Sequence, residues 1–183
     1  MKKQKALDEI AKEIEKCKIC IVGKTGLAVP GEGNPDADIV FVGEAPGKTE
    51  AASGRPFVGR SGKLLRSFIR EIGLDDIKDV FITSPVKYLP LRGTPTPKDI
   101  AHGRIHLMKQ LAIIQPNVVV LLGRVAAEGV LQSRISVTKE RGRIIEEQDG
   151  VKYFLTYHPA AVLRFPNKFK KLFHDDFQLL KDL

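Results

Sequence analysis

His158 is followed directly by Pro159, and Phe57 sits inside the run Gly54-Arg55-Pro56-Phe57-Val58-Gly59-Arg60. An imidazole at the end of an extended segment can donate a hydrogen bond to negative charge developing on a leaving group. Proline after it holds that residue extended. A lone histidine is also a common structural residue, and that reading stays open. A phenyl ring between glycines and arginines can stack on a flat base while the guanidinium groups meet phosphates. The plainer alternative is a loop residue tucked into the core. A third feature is Gly43-Glu44-Ala45-Pro46-Gly47. Its glycines let backbone approach a ligand closely, and free N–H groups in such a turn can hold an anion. It is neither a Walker loop nor a full dinucleotide fingerprint, and a plain turn explains it equally well.

The remaining chemistry-bearing residues are two pairs. Cys17 and Cys20 have C-x2-C spacing, and His102 and His106 lie four apart on an expected helix, hence on one face. Two thiolates and two imidazoles make a Cys2His2 zinc set. The alternative is two solvent-facing histidines and two small apolar thiols.

The elements that must position these residues follow from hydrophobic patterning. Residues 4–16 read as an amphipathic helix with Ala6, Ile10 and Ile14 at four-residue spacing, and residues 21–37 as a loop. Short apolar runs at 39–42, 80–83 and 118–122 read as buried strands. Helices are expected at 60–72 with Gly73 as the stop, at 99–114, at 124–131 and at 167–182. The proline-rich segment 84–97 reads as a loop. Residues 143–156 read as two strands about the turn Asp149-Gly150, ending at Tyr157-His158-Pro159. Strands alternating with helices argue for a parallel sheet covered on both faces, with ligands beyond the carboxyl ends of the strands. The segments 43–47, 83–90 and 157–164 all fall at those ends.

Length and composition bound the rest. A chain of 183 residues suits one domain, 1–183. No stretch approaches the ~18 apolar residues needed to span a membrane, and no apolar secretory core follows the basic start. Two cysteines exclude a disulfide framework, so a cytoplasmic protein, without membrane association and monomeric, is the expectation. The net charge of +8 permits a nucleic-acid partner without requiring one. Locally basic stretches at 60–70, 139–143 and 164–171 could track phosphates if the fold brings them to one face.

Together these segments resemble family 4 uracil-DNA glycosylase, the iron–sulfur type of its superfamily. The resemblance runs through Gly31-Glu32-Gly33-Asn34-Pro35, Val42 to Gly47, Gly54 to Arg60 with Gly62, the strand into Lys87, Leu122-Gly123-Arg124, and His158-Pro159-Ala160-Ala161-Val162-Leu163-Arg164. It implies a three-layer α/β/α sandwich around a central four-stranded parallel sheet. It also implies removal of uracil, or another deaminated base, from DNA by hydrolysis of the N-glycosidic bond in base excision repair. His158 and Glu44 become the catalytic candidates. Gly43, Ala45, Gly47, Phe57 and Ser84 become substrate-binding candidates: backbone N–H groups of Glu44 and Ala45 hold a uracil carbonyl, Phe57 stacks on the flipped base, and His158 donates to uracil O2. Arg60, Lys87, Leu163 and Arg164 become DNA-binding candidates, the last two as the wedge.

Two departures from the family pattern stand out. Ser84 occupies the place where the family has an asparagine that reads the uracil edge, which puts base discrimination in question. The family's [4Fe-4S] cluster needs four cysteines. Only Cys17 and Cys20 are present, with Tyr88 at the third position and no cysteine near Gly103, the fourth. Either the cluster is lost, or His102 or His106 substitutes for a missing cysteine, or zinc held by Cys17, Cys20, His102 and His106 replaces it; loss or zinc is expected over an intact cluster. These departures also leave room for a superfamily member that binds DNA or damaged bases without cutting, or for a glycosylase of hypoxanthine or xanthine.

Overall fold

A computed structural model describes residues 2–183. In chain order the elements are α1 (Lys2–Lys16), β1 (Lys24–Thr25), β2 (Glu32–Gly33), β3 (Ile39–Val42), α2 (Lys48–Ser53), α3 (Arg60–Glu71), β4 (Val80–Thr83), β5 (Leu89–Pro90), α4 (Pro97–Ile114), β6 (Val118–Leu122), α5 (Arg124–Leu131), α6 (Val137–Glu140), β7 (Arg143–Gln148), β8 (Val151–Thr156), α7 (Pro159–Arg164) and α8 (Pro166–Leu180). Strands β4, β3, β6 and β8 lie side by side and parallel. These are the four strands the family resemblance implies. They are extended at each edge by an antiparallel strand, β2 against β4 and β7 against β8.

Alternation along the strands divides the interior into two cores. Phe41, Val118, Val120 and Leu122 face α3, α7 and α8, where they meet Leu65, Phe68, Val162, Phe173 and Phe177. Val40, Val42, Val119 and Leu121 face α1, α4 and α5, where they meet Leu7, Leu107, Leu111 and Ala126. Both faces of each parallel strand are therefore covered, which is why β3, β4 and β6 read as unbroken apolar runs. No helix of the described residues is long and apolar enough to cross a membrane.

The expected loops hold more structure than their composition suggests. Residues 21–37 contribute β1 and β2, and 84–97 contributes β5, which pairs with β1 in a separate two-stranded sheet. The stretch after His158 is helix α7, not the trailing end of a strand.

Candidate active site

Because β3, β4, β6 and β8 run parallel, their carboxyl ends open on one edge. There the chain places Gly43–Gly47 after β3, Ser84 after β4, Gly123 after β6 and His158 after β8. One pocket at this edge is lined by Ala45, Pro46, Gly47, Glu50, Phe57, Ser84 and His158, among others. The Phe57 and His158 rings stand 5.9 Å apart between centroids, inclined by 37°.

Phe57 is set in place from several sides. Its backbone has φ 52°, a left-handed conformation rare for a bulky residue. The Glu50 carboxylate accepts the N–H groups of Val58 and Gly59 at 2.9 and 2.7 Å. Arg66 donates from the other side to the carbonyls of Phe57 and Pro56, both at 2.9 Å. Arg66 is fixed in turn by Glu32 and Asp76. The ring lies on Gly43, where an added Cβ would stand 2.6 Å from ring atoms. Gly43 thus makes room for the aromatic ring. The α3 end of the loop is equally close: a Cβ on Gly62 would meet the Phe57 carbonyl carbon at 2.0 Å. Sequence reasoning missed Glu50 and Arg66.

His158 is the N-cap of α7, with Pro159 at the first helical position. The Ala160 N–H donates to His158 Nδ1 at 3.1 Å. A neutral ring therefore carries its proton on Nε2, leaving one donor for a ligand. Burial lowers its pKa from the ordinary value to about 4, so the ring is neutral at physiological pH. It leans over the end of β6, where Gly123 has φ 87° and an added Cβ would come within 3.0 Å of His158 Cβ.

At the floor, the Ser84 hydroxyl donates to the Val86 carbonyl at 2.8 Å, so toward a ligand the oxygen can only accept. Neither the Glu44 nor the Ala45 N–H has an acceptor among the described residues, which leaves two donors free at the end of β3. The carboxylate on the lining is Glu50 and not Glu44. In an extended turn successive side chains alternate, and it is Ala45 that faces the pocket. Burial raises the Glu44 carboxyl, opposed by Arg124.

The DNA-binding candidates separate. Arg60, Leu163 and Arg164 are exposed and line an opening beside Glu50 and Gly59. Lys87 is a correction: it is 1% exposed and donates to Pro30 O, Thr83 Oγ1 and Gln110 Oε1 at 3.1, 2.8 and 2.8 Å. Its charge braces β4 against α4 and cannot reach a phosphate. Burial lowers its pKa to about 7. Two of the basic stretches are also partly committed inward, since Arg66 holds the Phe57 loop and Arg141 pairs with buried Asp176.

Away from this edge, Cys17 and Cys20, just beyond α1, meet His102 and His106 of α4, with all four ligand atoms within 4.8 Å of one another. Burial raises the Cys17 thiol, but the neighbouring His102, His106 and Cys20 outweigh it and lower the pKa to about 6. The group could hold a metal ion. It does not supply the four thiolates of a [4Fe-4S] cluster, because the chain has two cysteines.

The sequence profile of the uracil DNA glycosylase superfamily matches residues 30–181. A type-4 uracil-DNA glycosylase of Archaeoglobus fulgidus is 41% identical over 97% of this chain and 93% of its own length. The chain belongs to the type-4 uracil-DNA glycosylases. A Thermotoga maritima type-4 enzyme is 38% identical over 98% of this chain and 95% of its own. A type-5 enzyme of Thermus thermophilus is 34% identical over 56% of the chain. On this type-4 glycosylase fold, Phe57 and His158 line one pocket at the carboxyl ends of the strands.

Proposed function

We propose that this pocket takes one flipped-out uracil nucleotide from DNA and hydrolyses its N-glycosidic bond, with His158 as the donor to the leaving base. Family membership gives the reaction class, a monofunctional uracil-DNA glycosylase acting in base excision repair. The observation that carries the residue assignment is the Phe57–His158 pair flanking a pocket at the strand ends.

A base stacked on Phe57 puts one edge toward the β3 end and one toward His158. The bond between base and sugar breaks with its electron pair going to the base, while the sugar gains oxocarbenium character. The neutral Nε2–H of His158 donates to uracil O2 as negative charge grows there. The Glu44 and Ala45 N–H groups take a second carbonyl. Water adds at the anomeric carbon, and the departing base or Glu50, the one carboxylate on the lining, is available to accept its proton. Extrusion costs a few kcal/mol and is cheapest for a mispaired base, which favours U·G over U·A.

Ser84 sets a coarser filter than an asparagine. An acceptor-only oxygen matches a ring N–H such as uracil N3–H, and repels cytosine, whose N3 is a lone pair. It leaves uracil O4 unread by that residue. Hypoxanthine and xanthine also carry a ring N–H, which supports widened acceptance of deaminated bases.

The test is strand scission by hot alkali after incubation with labelled oligonucleotides containing uracil, cytosine, hypoxanthine or xanthine. Scission at uracil and none at cytosine is expected. Retarded mobility without scission would make the protein a binder that does not cut. His158→Ala should lower the single-turnover rate by ~10²–10³; an unchanged rate removes His158 from the reaction.

A further inference from the structure

We propose that Cys17, Cys20, His102 and His106 bind a single tetrahedral zinc ion where relatives of this type hold an iron–sulfur cluster, and that the ion ties α1 to α4. The inference does not depend on the reading of the base pocket.

Donor spacing decides between one ion and a cluster. Around zinc, with Zn–S about 2.3 Å and Zn–N about 2.0 Å, tetrahedral donors stand about 3.3–3.8 Å apart. The four ligand atoms here all fall within 4.8 Å of one another. In a [4Fe-4S] cluster each thiolate binds a different iron, which spreads the donors wider. A two-iron centre with mixed ligands places the cysteines on one iron and the histidines on the other. Cys17 Sγ lies 3.1 Å from His102 Nε2, which leaves no room for a two-iron core between thiol and imidazole.

His106 supplies the independent observation. It is 3% exposed, and neither ring nitrogen has a hydrogen-bond partner. A buried polar group in that state calls for a ligand or ion. Its Nδ1 stands 3.7 Å from Glu13 Oε1, and Lys109 holds that same carboxylate at 2.5 Å. A carboxylate behind one ring nitrogen orients the other toward a metal, the usual outer arrangement of a zinc-bound histidine.

The positions that once more cysteines would occupy are closed. The Tyr88 ring is buried among Ile14, Cys20, Ile10, Cys17 and Ala28, and its hydroxyl reaches the Ile14 and Glu15 carbonyls at the end of α1. Gly103 packs on the loop after β4, where an added Cβ would stand 1.9 Å from the Pro85 carbonyl oxygen. Beside the donors, a cleft lined by Ile19, Cys20, His102 and Gly103 opens to solvent and offers a route for the ion.

The full chain, purified from cells supplied with both zinc and iron, should carry one zinc per chain and show no broad visible absorption. Four irons with such absorption, or a protein that takes up neither Zn2+ nor Co2+, would overturn the proposal. Replacing zinc by Co2+ should give the intense visible bands of a tetrahedral site with thiolate charge transfer; the weak bands of octahedral cobalt would count against it. Cys20→Ser should remove those bands. Should that variant not fold, Glu13→Gln leaves the ligands intact and should weaken zinc by about 10–100-fold in competition with a chromophoric chelator. Unchanged affinity sinks the outer role of Glu13. Chelation should open the segment 17–23 to protease while the sheet stays folded, and an unchanged cleavage pattern would refute the tie between α1 and α4.

Discussion

A backbone amide fixes the proton of the His158 imidazole on one ring nitrogen. With the Ala160 N–H on Nδ1 and burial lowering its pKa to about 4, His158 binds a second proton only in acid, far below its ordinary 6.5. The neutral Nε2–H donor is therefore present above that point. The single-turnover rate should be flat through the range where an ordinary histidine titrates and change only near pH 4. An inflection at 6.5 would mean the ring is solvated and ordinary. The linkage has the same sign: the unfolded chain takes the proton first, so the stability this group adds is full above 6.5 and is lost as pH falls through about 4. Phe57 and His158 were legible in the sequence because a ring between glycines and a histidine before proline are unusual local patterns. Glu50 and Arg66 were not. Each is one charged residue among many, and only the folded path of residues 50–66 shows that they grip the same loop from opposite sides.

At the scale of elements, the exposed charge proposed to meet DNA comes from the ends of α3 and α7 and from α8. Arg60 opens α3, Arg164 closes α7, and Lys168 and Lys170 lie exposed on α8. Each phosphate contact contributes about −0.9 to the slope of log affinity against log salt. Arg60→Ala and Arg164→Ala should each flatten that slope by about this amount, measured with uracil-containing duplex DNA. Lys87→Met should leave the slope unchanged, because that ammonium is spent on Pro30, Thr83 and Gln110. A flatter slope in Lys87→Met would put the lysine back on the surface. Helix α7 itself was readable in principle: a capping residue followed by proline is a helix start. The histidine's chemistry drew the reading instead toward the end of the strand. Strands β1, β2 and β5, two residues each, leave no periodicity to detect.

Across the molecule, a charge buried under the sheet end links its layers. Asp176 of α8 is 0% exposed, pairs with Arg141, and accepts from Thr156 Oγ1 at 2.6 Å. Thr156 is the last residue of β8, two before His158. Asp176→Ala leaves the Arg141 guanidinium without its partner and should cost about 3–5 kcal/mol in denaturant unfolding; a loss near zero would show that the pair contributes nothing net. The parallel centre of the sheet was legible because strands buried on both faces are unbroken apolar runs alternating with helices. Its antiparallel edges were less so, since β2 arises from a Gly- and Pro-rich stretch and takes its extended form by pairing with Phe81 and Ile82.

The crossing of α4 over Pro85 keeps a third or fourth thiolate away from Cys17 and Cys20. A cysteine placed at Gly103 has no space until helix and loop separate, and one placed at Tyr88 trades a buried ring for a void beneath α1. Either step harms the scaffold before any iron is gained. Building a four-thiolate cage in this chain therefore demands simultaneous changes, and the single variants Gly103→Cys and Tyr88→Cys should be recovered as unstable proteins, not as iron-loaded ones.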